Sequence, residues 1–184
     1  MRVTVVPWNP QWSIEFESIR RELSNACAST PVRAIEHVGS TSVPGLAAKP
    51  IIDVAVVVAR DDVDDAIAAL EAAGYSYQGE RGVPDRHAFH APPHGPARHV
   101  YVAVDASLAL RNHLAVRDVL RSDPELRRRY GELKLDLASR DIADSDAYVA
   151  AKSPVLQEVL HASGRFSPTE FATIEALNNA PDAG

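Results

Sequence analysis

Cysteine is all but missing: Cys27 stands alone among 184 residues, which excludes an internal disulfide and a Cys-x-x-Cys metal site. It falls in a helical pattern, where a buried core thiol is the expected role. Long apolar runs are missing too. None reaches membrane-spanning length, and Met1 to Pro7 lacks the apolar centre of a signal peptide. The expectation is a soluble, cytoplasmic protein with no membrane partner. There is no excess of positive charge; the formal net charge is −6, so the whole molecule is no nucleic-acid clamp and offers no clear nucleic-acid surface. No repeat, low-complexity tract or linker interrupts the chain. A G-x-x-x-x-G-K-[ST] loop is absent, so P-loop kinase chemistry is not implied.

What is present suits one globular domain: 46% hydrophobic residues give a core without staples. Val3 to Val6 reads as a short β-type run ended by Pro7. Asn9-Pro10 opens a helix with Trp12, Phe16, Ile19 and Leu23 on one face. Residues 32–38 and 51–58 read as strands. Asp61 or Asp62 caps a helix carrying Val63, Ile67 and Leu70, which Gly74 ends. The acids at 61, 62, 64 and 65 fit capping and dipole complementation better than a metal cluster. Residues 75–78, 86–91 and 98–104 are further strands, the last two joined by the proline-rich loop 91–97 as an antiparallel hairpin.

From Ala106 the pattern is helical. Leu110 and Leu114 begin one helix. Asp123-Pro124 opens a second, with Leu126, Tyr130, Leu133 and Leu137 on its apolar stripe. Asp144 or Ser145 opens a third, which Ser153-Pro154 is expected to break or restart. Ser167 to Glu170 is a capping box before a short last helix, and residues 179–184 form a tail. The expected fold is α/β (α+β): a core over 1–105 and a helical part over 106–178.

Chemistry gathers between Glu36 and Val58. Residues 51–58 are apolar except for Asp53, and a strand apolar at nearly every position is buried on both faces. A carboxylate there needs a cation, hydrogen-bond donors or a metal. Before it, Gly39-Ser40 is a small-residue turn whose N–H groups and hydroxyl can cradle phosphate oxygens. Other groups point toward an anion: His37 before the turn, Lys49 before Pro50, and the pairs Arg86-His87 and Arg98-His99 at strand starts. Lys49 could equally meet Asp53. Residues 111–140 carry eight Lys or Arg against five acids; Arg127 to Arg129 read as a solvated face, while Lys134 lies beside an apolar stripe. Tyr148 and Lys152 share a helical face.

The block from His37 to Asp53, HVGSTSVPGLAAKPIID, resembles the signature of the GrpB family, a branch of the nucleotidyltransferase superfamily, over about Val6 to Leu160. The resemblance implies a small mixed β-sheet with helices, a C-terminal helical subdomain and a cleft between them. It implies Gly-Ser as the triphosphate turn, and a strand Asp-x-Asp or Asp-x-Glu holding divalent metal. Here Asp53 takes the first acidic position and Ala55 the second, as the family generally has it. Asp105 and Glu36 are candidates for a further metal oxygen. Lys134, Tyr148 and Lys152 match the family's helical lysine and its tyrosine and lysine four apart, with Tyr148 set to stack on a base.

The reading is therefore a protein that binds a nucleotide or phosphorylated metabolite with Mg²⁺, with nucleotidyl or phosphoryl transfer as the implied reaction. Asp53 and Ser40 are the catalytic candidates, with Asp53 and Asp105 as metal ligands. Gly39, Ser40, Lys49, His37, Arg86, His99, Lys134, Tyr148 and Lys152 would hold phosphate or nucleotide. The alternative, by resemblance to the extra domain of some dephospho-coenzyme A kinases, is a non-catalytic supporting domain.

Overall fold

Valines at 54, 56 and 58 face one way and Asp53, Ala55 and Val57 the other, and that alternation sets the architecture around the central strands. The structure, a computed structural model, describes residues 4–139 and 145–179, without the side chains of 145–150 and 178–179. Its strands are β1 (Val32–Val38), β2 (Ile52–Val58), β3 (Ser76–Tyr77), β4 (Arg86–His90) and β5 (Arg98–Val104). Six α-helices are described: α1 (Gln11–Ala26), α2 (Val63–Ala72), α3 (Leu108–Ser122), α4 (Pro124–Ser139), α5 (Ser145–Ser163) and α6 (Pro168–Asn179). The sheet is mixed, in the order β1-β2-β5-β4-β3. β2 pairs antiparallel with β1 and parallel with β5, and β4 and β5 form the antiparallel hairpin.

One sheet face carries Val54, Val56, Val58, Val100, Val102 and Val104 against Trp12, Ile19 and Leu23 of α1 and Leu70 of α2. The other packs Val38, Ala55, Val57 and Ala103 against Leu110 and Leu114 of α3. A third cluster joins the loop before β2 to the helices: Val43 and Leu46 meet Val119, Leu120, Leu126, Tyr130 and Val159. The GrpB-like block is thus the seam between sheet and helices, and burial of Val43 and Leu46 fixes it there.

The helix starts obey local chemistry. The Asn9 Oδ1 accepts from Gln11 N at 2.9 Å, and Asp123 Oδ1 accepts from Glu125 N and Leu126 N at 3.0 and 2.9 Å. In the capping box, Glu170 N donates to Ser167 Oγ at 3.3 Å and Ser167 N donates to Glu170 Oε2 at 2.9 Å.

Three expectations are corrected. Asp62 stands at the N-cap of α2 but makes no side-chain capping bond, because Arg60 to Asp62 form a 3-10 turn that leads directly into the helix. Val3 to Val6 forms no strand among the described residues; Val6 makes a single bridge to Ala48, because Pro7 removes the next donor. Pro154 lies inside α5 rather than breaking it. It sits on the exposed side, where water can take the carbonyl it leaves unpaired, and Val159 and Leu160 anchor the following turns in the core. Among the described residues no helix is long and apolar enough to cross a membrane.

Candidate functional site

The turn between β1 and β2 is built around one close approach. Gly39 has φ +69° and ψ −174°, a conformation that strains any L side chain. A Cβ there would fall inside the Asp53 side chain, 2.8 Å from its Cγ and 2.9 Å from its Cβ. What the glycine admits at close range is therefore the Asp53 carboxylate. Beneath the turn, His37 Nε2 donates to Thr41 Oγ1 at 3.0 Å, and Thr41 Oγ1 donates to Ile51 O at 3.3 Å. From α3, Arg121 donates to Ser42 O at 3.0 and 2.7 Å, and Arg117 donates to His37 O at 3.2 Å. Two helix arginines thus fasten the turn.

A cleft of about 200 Å³ opens beside it, lined by Ser40, Thr41, Lys49, Ile51, Asp53, His99, Tyr130, Lys134 and Lys152. Strand register puts His99 opposite Asp53, and His99 Nδ1 donates to Asp53 Oδ1 at 3.0 Å. That bond raises the His99 pKa against the opposing effect of burial. Asp53 is about a quarter exposed, so it sits at the cleft wall rather than deep in an apolar strand. Lys134 is only 3% exposed. Its Nζ lies 4.5 Å from the Tyr130 ring centroid and has no hydrogen-bond partner among the described residues. Burial, then the Lys152 charge, pushes its pKa down to about 7. Burial and Lys49 push Lys152 down to about 8, with Asp53 acting the other way.

A second cavity of about 160 Å³ shares Ser40 and Tyr130 with the first and is lined also by Gly39, Val43, Asn112, His113 and Leu156. Asn112 Oδ1 is buried there without a partner among the described residues, and burial pushes His113 down to about 4.

The structure thus brings Ser40, Lys49, Asp53, His99, Lys134 and Lys152 together, with Gly39 on the wall of the second cavity. It sends other candidates elsewhere. His37 does not line the cleft; its ring stacks on Phe16 at 4.5 Å, and burial with the nearby Arg121 holds its pKa at about 4, so it is no cation for phosphate near neutral pH. Arg86 lies over the Tyr101 ring at 4.9 Å, outside the lining of the 200 Å³ cleft. Arg98 faces the opposite side of the sheet, donating to Glu22 Oε1 at 2.8 Å and Tyr75 OH at 3.0 Å. The Tyr148 side chain lies outside the described residues.

The pairing of Asp105 with Asp53 on one metal is corrected by register. Asp105 lies six residues beyond His99 on β5, about 20 Å along the strand at ~3.3 Å per residue, and it pairs with Arg33. Glu36 accepts from Arg117 Nη1 at 2.6 Å. Sequence reasoning missed Tyr130 and Thr41 as lining residues, and Arg117 and Arg121 as the tethers of the turn. Tyr130 was findable, because it sits four residues before Lys134 on one helical face.

A family model described as GrpB protein matches residues 2–162. The chain belongs to the GrpB family. The UPF0157 protein of Pseudomonas aeruginosa is 37% identical over 162 residues, 86% of this chain and 66% of that protein. A dephospho-CoA kinase of Mycolicibacterium paratuberculosis is 28% identical over 178 residues, 83% of this chain and 44% of the kinase. The chain therefore spans about two thirds of the first relative and under half of the second. The crystal structure of conserved protein GrpB from Enterococcus faecalis matches with a TM-score of 0.75 at 34% identity, covering 88% of this chain and all of that one. The Cid1 poly(U) polymerase with MgGTP bound matches at a TM-score of 0.52 and 14% identity, covering 79% of this chain and 50% of that one. This GrpB-family chain thus has a nucleotidyltransferase-like fold.

The Mg²⁺ that the resemblance implies does not fit the donors here. A two-metal centre needs several carboxylates around ions about 3.5–4 Å apart. The described residues contain no group of three His, Cys, Asp or Glu able to hold a metal ion. Ala55 stands where a second strand acid would, opposite Tyr101, and Asp53 shares its cleft with three lysines.

Proposed function

We propose that this GrpB-family chain binds a nucleotide or another phosphorylated small molecule, its phosphates in the cleft among Ser40, Lys49, Lys134 and Lys152. The observation that carries the reading is the buried Lys134 ammonium without a hydrogen-bond partner among the described residues. Burying an unpaired cation is costly, and an anionic ligand in the cleft would offset that cost. The adjoining 160 Å³ cavity, with the unpartnered Asn112 oxygen, is placed to take an uncharged head group carrying N–H or O–H donors. Nucleotidyl or phosphoryl transfer would need acids that this sheet face does not supply, so the reading is binding rather than turnover.

The likeness to part of a dephospho-CoA kinase favours a second reading, a supporting domain whose ligand is a coenzyme A precursor. A thermal-shift screen of nucleoside mono-, di- and triphosphates, dephospho-coenzyme A and phosphopantetheine compares wild type with Lys134→Met. Any of these that binds the folded state raises its midpoint. The binding reading expects at least one phosphorylated compound to do so in wild type and not in the variant. No shift with any compound sinks it, and a shift confined to the coenzyme A precursors selects the second reading.

A further inference from the structure

We propose that the cleft takes its phosphate ligand as the free polyanion, with lysines standing where a divalent metal would, so that Mg²⁺ weakens binding by sequestering the ligand. This rests on the binding reading above. Its ground is the donor set rather than any missing ion.

Asp53 is the one carboxylate of the cleft lining. Its Oδ1 accepts from His99 Nδ1 at 3.0 Å, and the Gly39 backbone packs closely against one side of the carboxylate. The remaining acids that sequence could offer are spent: Glu36 on Arg117 and Asp105 on Arg33 at the far end of β5. Against this single carboxylate stand Lys49, Lys134 and Lys152 in the same lining. With all three ammonium groups protonated, the lining carries a formal charge of +2 with His99 neutral. A divalent cation entering it meets net repulsion at short range, in a partly dry setting where charge interactions are only weakly screened. An anion of two or more negative charges meets the opposite. Lys134 supplies three N–H donors at fixed depth over Tyr130, and a metal-bound phosphate would present oxygens already partly neutralised to them. Phosphate bound this way matches lysine's use as a point charge for phosphate oxygens.

The mutational signature is opposite to that of a metal site. If Asp53 held a metal, Asp53→Asn would abolish phosphate binding. In the proposed site Asp53 repels the incoming anion and only orients His99, so Asp53→Asn keeps or strengthens binding.

The test is calorimetry of the full chain with ATP and with inorganic pyrophosphate, in EDTA and in Mg²⁺ exceeding the ligand. The expected result is saturable binding in EDTA that weakens about tenfold or more in excess Mg²⁺, with Asp53→Asn at least as tight as wild type in EDTA. Binding that requires Mg²⁺, or is tightened by it, overturns the proposal while leaving the binding reading intact. No binding of either probe in either buffer also overturns the proposal, while the binding reading falls only if the thermal-shift screen is blank as well. If Asp53→Asn fails to fold by circular dichroism, the comparison of the two buffers on wild type decides alone.

Discussion

Gly39 and Lys134 each carry a local cost for this cleft. At Gly39 the cost is conformational, and only glycine meets it. Gly39→Ala is expected to lose about 1–3 kcal/mol from backbone strain, and more because its Cβ collides with Asp53. Gly45→Ala is the control: φ is +82° there as well, but the new Cβ would meet only Arg127 Nε, at an ordinary 3.7 Å, so strain alone acts. Urea unfolding should rank Gly39→Ala well below Gly45→Ala; equal losses would mean that the close approach to Asp53 does not matter. At Lys134 the cost is desolvation. Its folded pKa of about 7 lies below the ordinary 10.5, so between about pH 7 and 10 the unfolded chain holds a proton that the folded chain releases. Stability then rises with pH across that window, and below it the full penalty of burying the charge applies. Lys134→Met removes this contribution. The variant should be as stable as wild type or more so at pH 6.5, with the gap shrinking toward pH 10; a variant clearly less stable at pH 6.5 would mark Lys134 as a structural anchor.

At the scale of elements, α3 matters to the site less by what it lines than by what it holds. Arg121 hydrogen-bonds Ser42 O twice and Arg117 spans His37 O and Glu36, so the helix fixes the turn that carries Gly39 and Ser40. Arg121→Ala should cost about 1.5–3 kcal/mol, the range for losing hydrogen bonds from a charged donor. It should also speed amide exchange at Ser40 to Val43 and weaken the proposed phosphate binding, although Arg121 does not line the 200 Å³ cleft. Unchanged exchange in the turn would refute the tether. Arg128 and Arg129 were legible as surface, pairing with Glu125, Glu132 and Glu158; Arg127 was not, being half-buried and donating to Leu120 O and Arg121 O at the end of α3. The tethering role of Arg117 and Arg121 was not legible, because their partners lie some eighty residues earlier, on another layer of the fold.

Over the whole molecule, a chain of net charge −6 holds a cleft lined by three lysines, His99, Tyr130 and one acid. Affinity for pyrophosphate should fall as salt rises from 20 to 300 mM, since the attraction is local and salt screens its exposed mouth. Relative to Lys134→Met, it should also fall as pH rises from about 6.5 to 9, because Lys134 at about 7 releases its proton there, while the ionisation of pyrophosphate, Lys152 at about 8, Lys49 and His99 are common to both proteins. Calorimetry of wild type and variant across both series checks this, and identical pH profiles would exclude Lys134 as a phosphate cation.

The sequence alone determined the family, the mixed α/β architecture, the strand carrying Asp53, the hairpin 86–104 and the caps at Asn9, Asp123 and Ser167. These are written in periodicity, turn chemistry and a contiguous block, all of which act over a few residues of chain. It also pointed to Asp53, Ser40, Lys49, His99, Lys134 and Lys152, because each breaks its local pattern or matches the block. Only tertiary structure decided which of the polar candidates meet. Strand register separated Asp105 from Asp53, sheet parity turned Arg98 away from His99, and burial under Phe16 took His37 out of the cleft. The physical reason is that side-chain partnership depends on which face and which layer a residue reaches. Register and packing between elements distant in the chain set that, and no local pattern of residues encodes it.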